Sequence, residues 1–250
     1  MIETALALLC AHVLADFLFQ TNWIVENKRK PLVLLLHIAI VAAASWIALG
    51  GAWQAALAIS AAHLVIDAVK TYALRNTLAS FTLDQSAHIL SIAAVAFWMP
   101  NAFETGLWAP HSAYFIPAAV LLTGAVLTIQ TGGYVIGLLM ARFDASGMSD
   151  GLENAGRLIG QLERSLIFLM VLVGQPAGIG FLIAAKSVLR FDTTQDNKKA
   201  SEYVIIGTLA SFGWAMAFAY ASALQSLEEI NQQLAAANIR LHLSEIHPDE

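Results

Sequence analysis

The sequence predicts an all-α protein, a polytopic transmembrane bundle of about six to seven membrane segments, one of them a re-entrant hairpin. Three observations predict it. Of 250 residues, 58% are hydrophobic and only 12% charged, against roughly 25% charged in a soluble domain. Apolar stretches near the length of a bilayer span recur along the whole chain. Lys and Arg gather in alternate loops. The lipid bilayer is therefore the expected surrounding. A net charge of −5 argues against nucleic acid, which wants a basic patch. Cys10 is the only cysteine, so intramolecular disulfides and CxxC sites are excluded.

Each segment has its own signal. The first runs over about Ile2–Phe19; it lacks the basic start of a secretory signal and reads as a retained helix. Lys28-Arg29-Lys30 follows. The second starts at Pro31, which suits a first helical turn, and ends at Gly50-Gly51. The third covers about Ala52–Tyr72 and the fourth about Asp84–Met99, closed by Pro100. Asn101–His111 is a polar loop without Lys or Arg. The fifth, Ser112–Arg142, is interrupted at Gln130–Gly133. Asp144–Gln161 is too polar to span. Ser165–Leu189 is long enough to cross once, but Gln175-Pro176-Ala177-Gly178 sits at its middle and favours a turn. Ser201–Ala223 is the last span. From Ser226 the chain is amphipathic, with Leu227, Ile230, Leu234, Ala237 and Leu241 at heptad-like spacing that suits a partner helix, including that of a second copy. Residues 1–100 thus form a four-helix unit, 101–225 carry further helices with a broken or hairpin segment, and 226–250 are a tail.

The positive-inside rule orients the set. Lys28, Arg29, Lys30, Lys70, Arg75 and Arg142 are all cytoplasmic if the N-terminus lies outside. A single crossing at Ser165–Leu189 would place Lys186, Arg190, Lys198 and Lys199 outside; a hairpin keeps them inside.

Three His/Asp pairs at four-residue spacing interrupt the apolar segments: His12/Asp16, His63/Asp67 and Asp84/His88. Four residues is about one turn, so each pair projects from one helix face. Ionisable groups at membrane depth are costly and need a partner, a cavity or an ion. His12 and Asp16 fall near the end of the first helix, His37 near the start of the second, His63 and Asp67 near the end of the third, and Asp84 and His88 near the start of the fourth. Antiparallel neighbours alternate direction, so all seven share one depth, in the cytoplasmic leaflet. Gln20 and Lys70 extend two of the stripes by a turn. Imidazole and carboxylate together suit zinc, manganese or iron rather than calcium. Three carboxylates and four imidazoles exceed one tetrahedral shell, so they would hold one ion with supporting partners or a carboxylate-bridged pair. A purely structural polar cluster, hydrogen-bonded across helices, is the competing reading. In the second half, Arg164, Lys186 and Arg190 form a basic set able to hold a phosphate or a lipid head group, against a reading as plain interfacial anchors.

The run His12-Val-Leu-Ala-Asp16-Phe-Leu-Phe-Gln20, then Lys28, His37, His63-Leu-Val-Ile-Asp67-Ala-Val-Lys70 and Asp84-Gln85-Ser-Ala-His88, resembles a bacterial membrane-protein family, domain of unknown function 3307 (DUF3307). The resemblance covers about the first 100 residues. The stretch from Gly156 to Ser211 looks like the second half of longer members. The resemblance implies a bacterial inner-membrane protein, with the N-terminus periplasmic on the charge argument above. It implies no reaction. The plan is also loosely similar to membrane-embedded metal-dependent hydrolases, an analogy of layout only.

Two functional classes follow. The first is a metal-dependent hydrolase at the cytoplasmic leaflet, in which an ion held among His12, Asp16, His37, His63, Asp67, Asp84 and His88 acidifies water and Asp67 or Asp84 is the base. An anionic lipid or lipid-linked substrate would sit on the basic set. The second is an ion- or proton-coupled transporter or channel, favoured by the breaks at Gln130–Gly133 and Gln175–Gly178. A hydrolase expects a pocket open to one side; a transporter expects a polar route through the other leaflet.

Overall fold

The computed structural model describes residues 1–143, 155–194 and 198–236. Among them every regular element is helical. Helix α1 (Ile2–Leu14) continues into a π turn at Ala15–Phe19. A short α2 (Asn22–Asn27), capped by the Thr21 hydroxyl, leads to α3 (Pro31–Ala48) and α4 (Trp53–Ala73). Helix α5 (Leu78–Trp98) begins about two turns before Asp84, the expected start. The reason is a capping box: the Thr77 hydroxyl accepts from Ser80 N–H, and the Ser80 hydroxyl accepts from Thr77 N–H. Helix α6 (Ser112–Val126), a π turn at Leu127–Thr131 and α7 (Gly132–Met140) form one continuous rod. The expected interruption is thus a π turn rather than a break.

The chain then forms a helical hairpin. Helices α8 (Ala155–Leu172) and α9 (Ala177–Thr194) are joined by a turn in which Gly174 has φ +68°, a conformation that favours glycine. The Lys186 ammonium donates to Glu163 at 2.7 Å, which sets the arms antiparallel. No continuous helix runs from Ser165 to Leu189. Helix α10 (Lys198–Ala236) closes the described chain and runs antiparallel to the α6–α7 rod, with Gly124 against Ser222 and Gly132 against Trp214. Of the tail, Ser226–Ala236 continues α10; Ala237 and Leu241 lie outside the described residues.

Among the described residues, five segments are long and apolar enough to cross a membrane: Ile2–Phe19, Pro31–Ala48, Trp53–Ala73, Ala109–Met140 and Lys199–Ser226. The outer surface is apolar as a bilayer requires, with Leu32, Leu90, Phe97 and Phe181 each more than two-thirds exposed. The protein is a multi-pass membrane bundle.

One end of the first unit is sealed. Ala7, Leu8, Leu49, Ile59, Ile92 and Phe103 pack there into an apolar cluster. Thr4 binds it to the loop after α5: its hydroxyl donates to Pro100 C=O at 2.8 Å and accepts from Phe103 N–H at 3.2 Å. Gly50 (φ +64°) lets the α3–α4 loop lie against Leu107, whose N–H donates to the Gly50 carbonyl at 2.9 Å. The polar residues lie toward the opposite end.

Candidate functional site

Four helices each deliver part of the cluster. His12 sits on α1, Asp16 on its π turn, His37 on α3, His63 and Asp67 on α4, and Asp84 and His88 on α5. His12, His37, His63, Asp67 and His88 are buried, and the Asp16 and Asp84 side chains are nearly so. All seven expected residues come together. The histidine rings form a chain, with centroids 4.8 Å apart for His12–His88, 4.1 Å for His63–His88 and 5.3 Å for His37–His63.

Four atoms define the centre. His37 Nε2 and His63 Nε2 are 3.3 Å apart. Asp16 Oδ1 lies 3.3 Å from each of them. Asp67 Oδ2 lies 3.3 Å from His37 Nε2 and 3.4 Å from His63 Nε2. These are two near-equilateral triangles sharing the His37–His63 edge. Hydrogen bonds alone do not account for them. Ionised carboxylates only accept, and each Nε2 carries at most one proton. Five close contacts therefore share at most two protons.

The surrounding contacts orient the remaining donors. His88 Nδ1 lies 2.9 Å from the Asp84 main-chain carbonyl, which only accepts, so the proton sits on Nδ1. That leaves His88 Nε2 with a free lone pair, buried and without a hydrogen-bond partner. His12 Nε2 donates to Gln85 Oε1 at 3.2 Å, and Gln85 Nε2 donates to Asp84 Oδ2 at 3.2 Å. Lys28 Nζ reaches Asp67 Oδ2 at 2.7 Å. Three sets of donor atoms lie mutually within 4.8 Å: His12, Asp16, His63, His88; His37, His63, Asp67; and Asp67, Asp84, His88. His12 and His88 are thus held from behind by an amide and a carbonyl, as metal-ligating histidines are, whereas His37 Nδ1 is buried without a partner; the donor types of the whole set fit a divalent transition metal.

Asp16, Asp67 and Asp84 also line the floor of a cavity of about 890 Å³. Its walls come from both halves of the chain: Lys28, Arg29, Lys70 and Arg75 from the first, Arg157 and Arg164 from the second. The π turn at Leu127–Thr131 shapes the junction. Two of its carbonyls, Leu127 and Ile129, accept from Gly132 N–H and each takes a side-chain donor as well. Leu127 C=O accepts from Trp214 Nε1 at 2.9 Å, and Ile129 C=O accepts from Arg164 Nε at 3.0 Å. Gln130 on the same turn accepts from Gln161 at 3.0 Å.

Of the expected basic set, Arg164 lines the cavity. Lys186 does not; it is held by Glu163 and lies 5.5 Å from the centre of the Phe212 ring. Arg190 is on the backbone of α9, and its side chain lies outside the described residues. Arg75 and Arg157 carry no site role in the sequence reading, because the contact between the two halves has no local spacing. Gln85 is legible only as a member of the motif run; its bond to His12 joins residues 73 apart in sequence.

Residues 5–114 match the model of a family described as a protein of unknown function, DUF3307, as the resemblance implied. The match spans α1 to α5 and all seven clustered residues. No curated protein and no solved structure matches the chain.

Proposed function

We propose that this DUF3307 protein is a metal-dependent hydrolase of the membrane surface, with one divalent ion held by Asp16, His37, His63 and Asp67. The observation that carries the reading is the pair of triangles. In a tetrahedral shell the ligand–ligand edge is about 1.6 times the bond length, so N and O ligands about 2.0–2.1 Å from zinc stand about 3.3–3.4 Å apart. Each triangle here has that edge, 3.3–3.4 Å, so each matches one face of such a shell, and His37, His63 and Asp67 form one set of mutually close donors. A cation between the four atoms also resolves the shortage of protons. Zinc suits the edge length, with manganese and iron as competitors for the same donors.

When bound, such an ion lowers the pKa of a water in its shell. Asp84 faces the cavity and belongs to no triangle, so it is the general base placed to take that proton. Asp67, the other candidate base, serves as ligand and is held by Lys28. Closure favours hydrolysis over transport. Beyond the cluster the bundle is filled by Leu8, Leu49, Ile59 and Phe103, so the polar chamber meets apolar packing rather than a route onward.

Elemental analysis of protein purified in detergent without chelators tests the metal. Wild type should carry about one equivalent of metal per chain. His63→Ala should lose it while still inserting and eluting as a folded species. A wild-type stoichiometry near zero would sink the metalloenzyme and leave a structural cluster.

A further inference from the structure

We propose that the ligand of this chamber is an amphiphile with a phosphate head group: the phosphate in the cationic cavity, and the hydrocarbon chain in the groove between α5 and α7. The inference names the substrate class of the proposed hydrolase and rests on that reading only for turnover, not for binding.

The charge of the chamber runs against that of the molecule. The chain carries −5 overall, yet the cavity wall presents six Lys and Arg against four carboxylates. Three of those carboxylates, Asp16, Asp67 and Asp84, belong to the cluster at the floor. Above the floor the cations outnumber the acids.

Arg164 is the most telling of them. Its side chain is 3% exposed. Nε is engaged by Ile129 C=O and Nη1 by the Ser211 hydroxyl at 3.2 Å, which hold the planar group in place. Glu163, its chain neighbour, is taken by Lys186. Among the described residues no carboxylate forms an ion pair with Arg164. Gly133 and Gly160 make the slot: a Cβ on Gly133 would stand 2.7 Å from Nη2, and one on Gly160 would stand 3.0 Å from Nη1. A buried, oriented guanidinium with no carboxylate ion pair among the described residues, lining a large cavity, is a site for an anion, and its planar fork matches phosphate. Arg157 stands two helical turns away on the same face of α8, and Lys70 and Arg75 line the same cavity.

The cavity is not closed sideways. Helices α5 and α7 meet at Phe81–Tyr134, ring centroids 5.2 Å apart, and at the bond from the Tyr134 hydroxyl to Asn76 Oδ1, 2.9 Å. Beyond that contact they part around a second groove of about 890 Å³, lined by Leu78, Ala79, Thr82, Leu83, Leu138 and Ala141. Asn76 and Leu138 line both spaces, so groove and cavity adjoin. A free phosphate has no use for the groove. A lipid without a phosphate has no use for Arg164. A phospholipid uses both, with its ester bond near the cluster.

Binding of three probes to detergent-purified protein, read by native mass spectrometry, tests this. Dioleoyl phosphatidic acid supplies head and tail, dioleoylglycerol the tail alone and inorganic phosphate the head alone. Phosphatidic acid should bind at least about tenfold tighter than either, the loss expected when a charged hydrogen bond is removed. Arg157→Gln should weaken it severalfold, Arg164→Gln at least tenfold, and Ala79→Trp, which fills the groove, severalfold. Arg157 and Ala79 are exposed, so those two variants remain informative if Arg164→Gln fails to fold. Equal binding of dioleoylglycerol, or of phosphate alone, would overturn the proposal, as would indifference to Arg157→Gln and Ala79→Trp. The metal reading is tested separately. His63→Ala should bind phosphatidic acid within about twofold of wild type. Metal-free wild type that still selects phosphatidic acid removes the hydrolase and keeps the lipid site; metal-loaded protein that does not select it does the reverse.

Discussion

Asp67 and Asp84 sit on neighbouring helices, share the cavity floor and have different tasks. Asp67 meets two imidazoles and Lys28, while Asp84 holds Gln85. Asp67→Asn should therefore release the metal, with affinity falling at least tenfold. Asp84→Asn should keep the metal and lower hydrolysis by about 10²–10⁴-fold, as removal of a general base does. Metal content and turnover measured on both variants separate the roles, and metal lost equally from both would merge them. Thr4 supplies a control far from the site. Its hydroxyl serves both Pro100 C=O and Phe103 N–H, and Thr4→Val leaves the buried Phe103 N–H unpaired. The expected cost is about 1–3 kcal/mol, seen as a lower thermal midpoint in detergent with metal content unchanged. Residues of the cluster were legible because each pair repeats at one helical turn inside an apolar run. Arg157 and Arg164 were not legible as its neighbours, because no periodicity links α8 to α1.

At the scale of elements, the signals that worked were local and chemical. Pro31 opened α3, and the Gln175–Gly178 run marked the turn before α9. The start of α5 was missed because Leu78–Leu83 looks like the approach to a span, whereas the Thr77–Ser80 capping box already begins the helix. The interruption near Gln130 was visible in composition, but its form was not. Its Leu127 and Ile129 carbonyls, which already accept from Gly132 N–H, take second donors from Trp214 and Arg164, far along the chain. Trp214→Phe removes one of these second donors, while Leu127 C=O keeps its main-chain bond. A loss of about 0.5–1.5 kcal/mol is expected. Because the same turn carries Gln130 and the Arg164 contact, phosphatidic acid binding should fall with it, and an unchanged melting curve would show that the turn does not need the indole.

For the whole molecule, the cationic ends of both halves meet at one cavity, and the positive-inside rule predicts that this end faces the cytoplasm, with the N-terminus periplasmic. The single native cysteine, Cys10, is buried at 5% exposure, so it gives little background for labelling. Cysteines introduced at Arg29 and Arg75 should react with a membrane-impermeant reagent only after the cytoplasmic face is opened. One introduced at Glu104 should react from outside. The opposite pattern would invert the orientation while leaving the site intact. The multi-pass class was legible from composition; the union of the two halves around one chamber was not.

The distribution of the cluster over α1, α3, α4 and α5 also governs how the protein can be made. Ribosomes deliver these helices one after another, so Asp16 reaches the bilayer before α3 and α4 bring His37 and His63 to meet it. An aspartate costs about 2.5–3.5 kcal/mol to insert at the centre of a lone helix, and less near its end, where Asp16 stands. The debt is cleared only when α4 arrives, and the last donor, His88, comes with α5. Nascent chains stopped after α3 should consequently be held at the insertion machinery or degraded, and chains that extend past Trp98 should settle into the membrane.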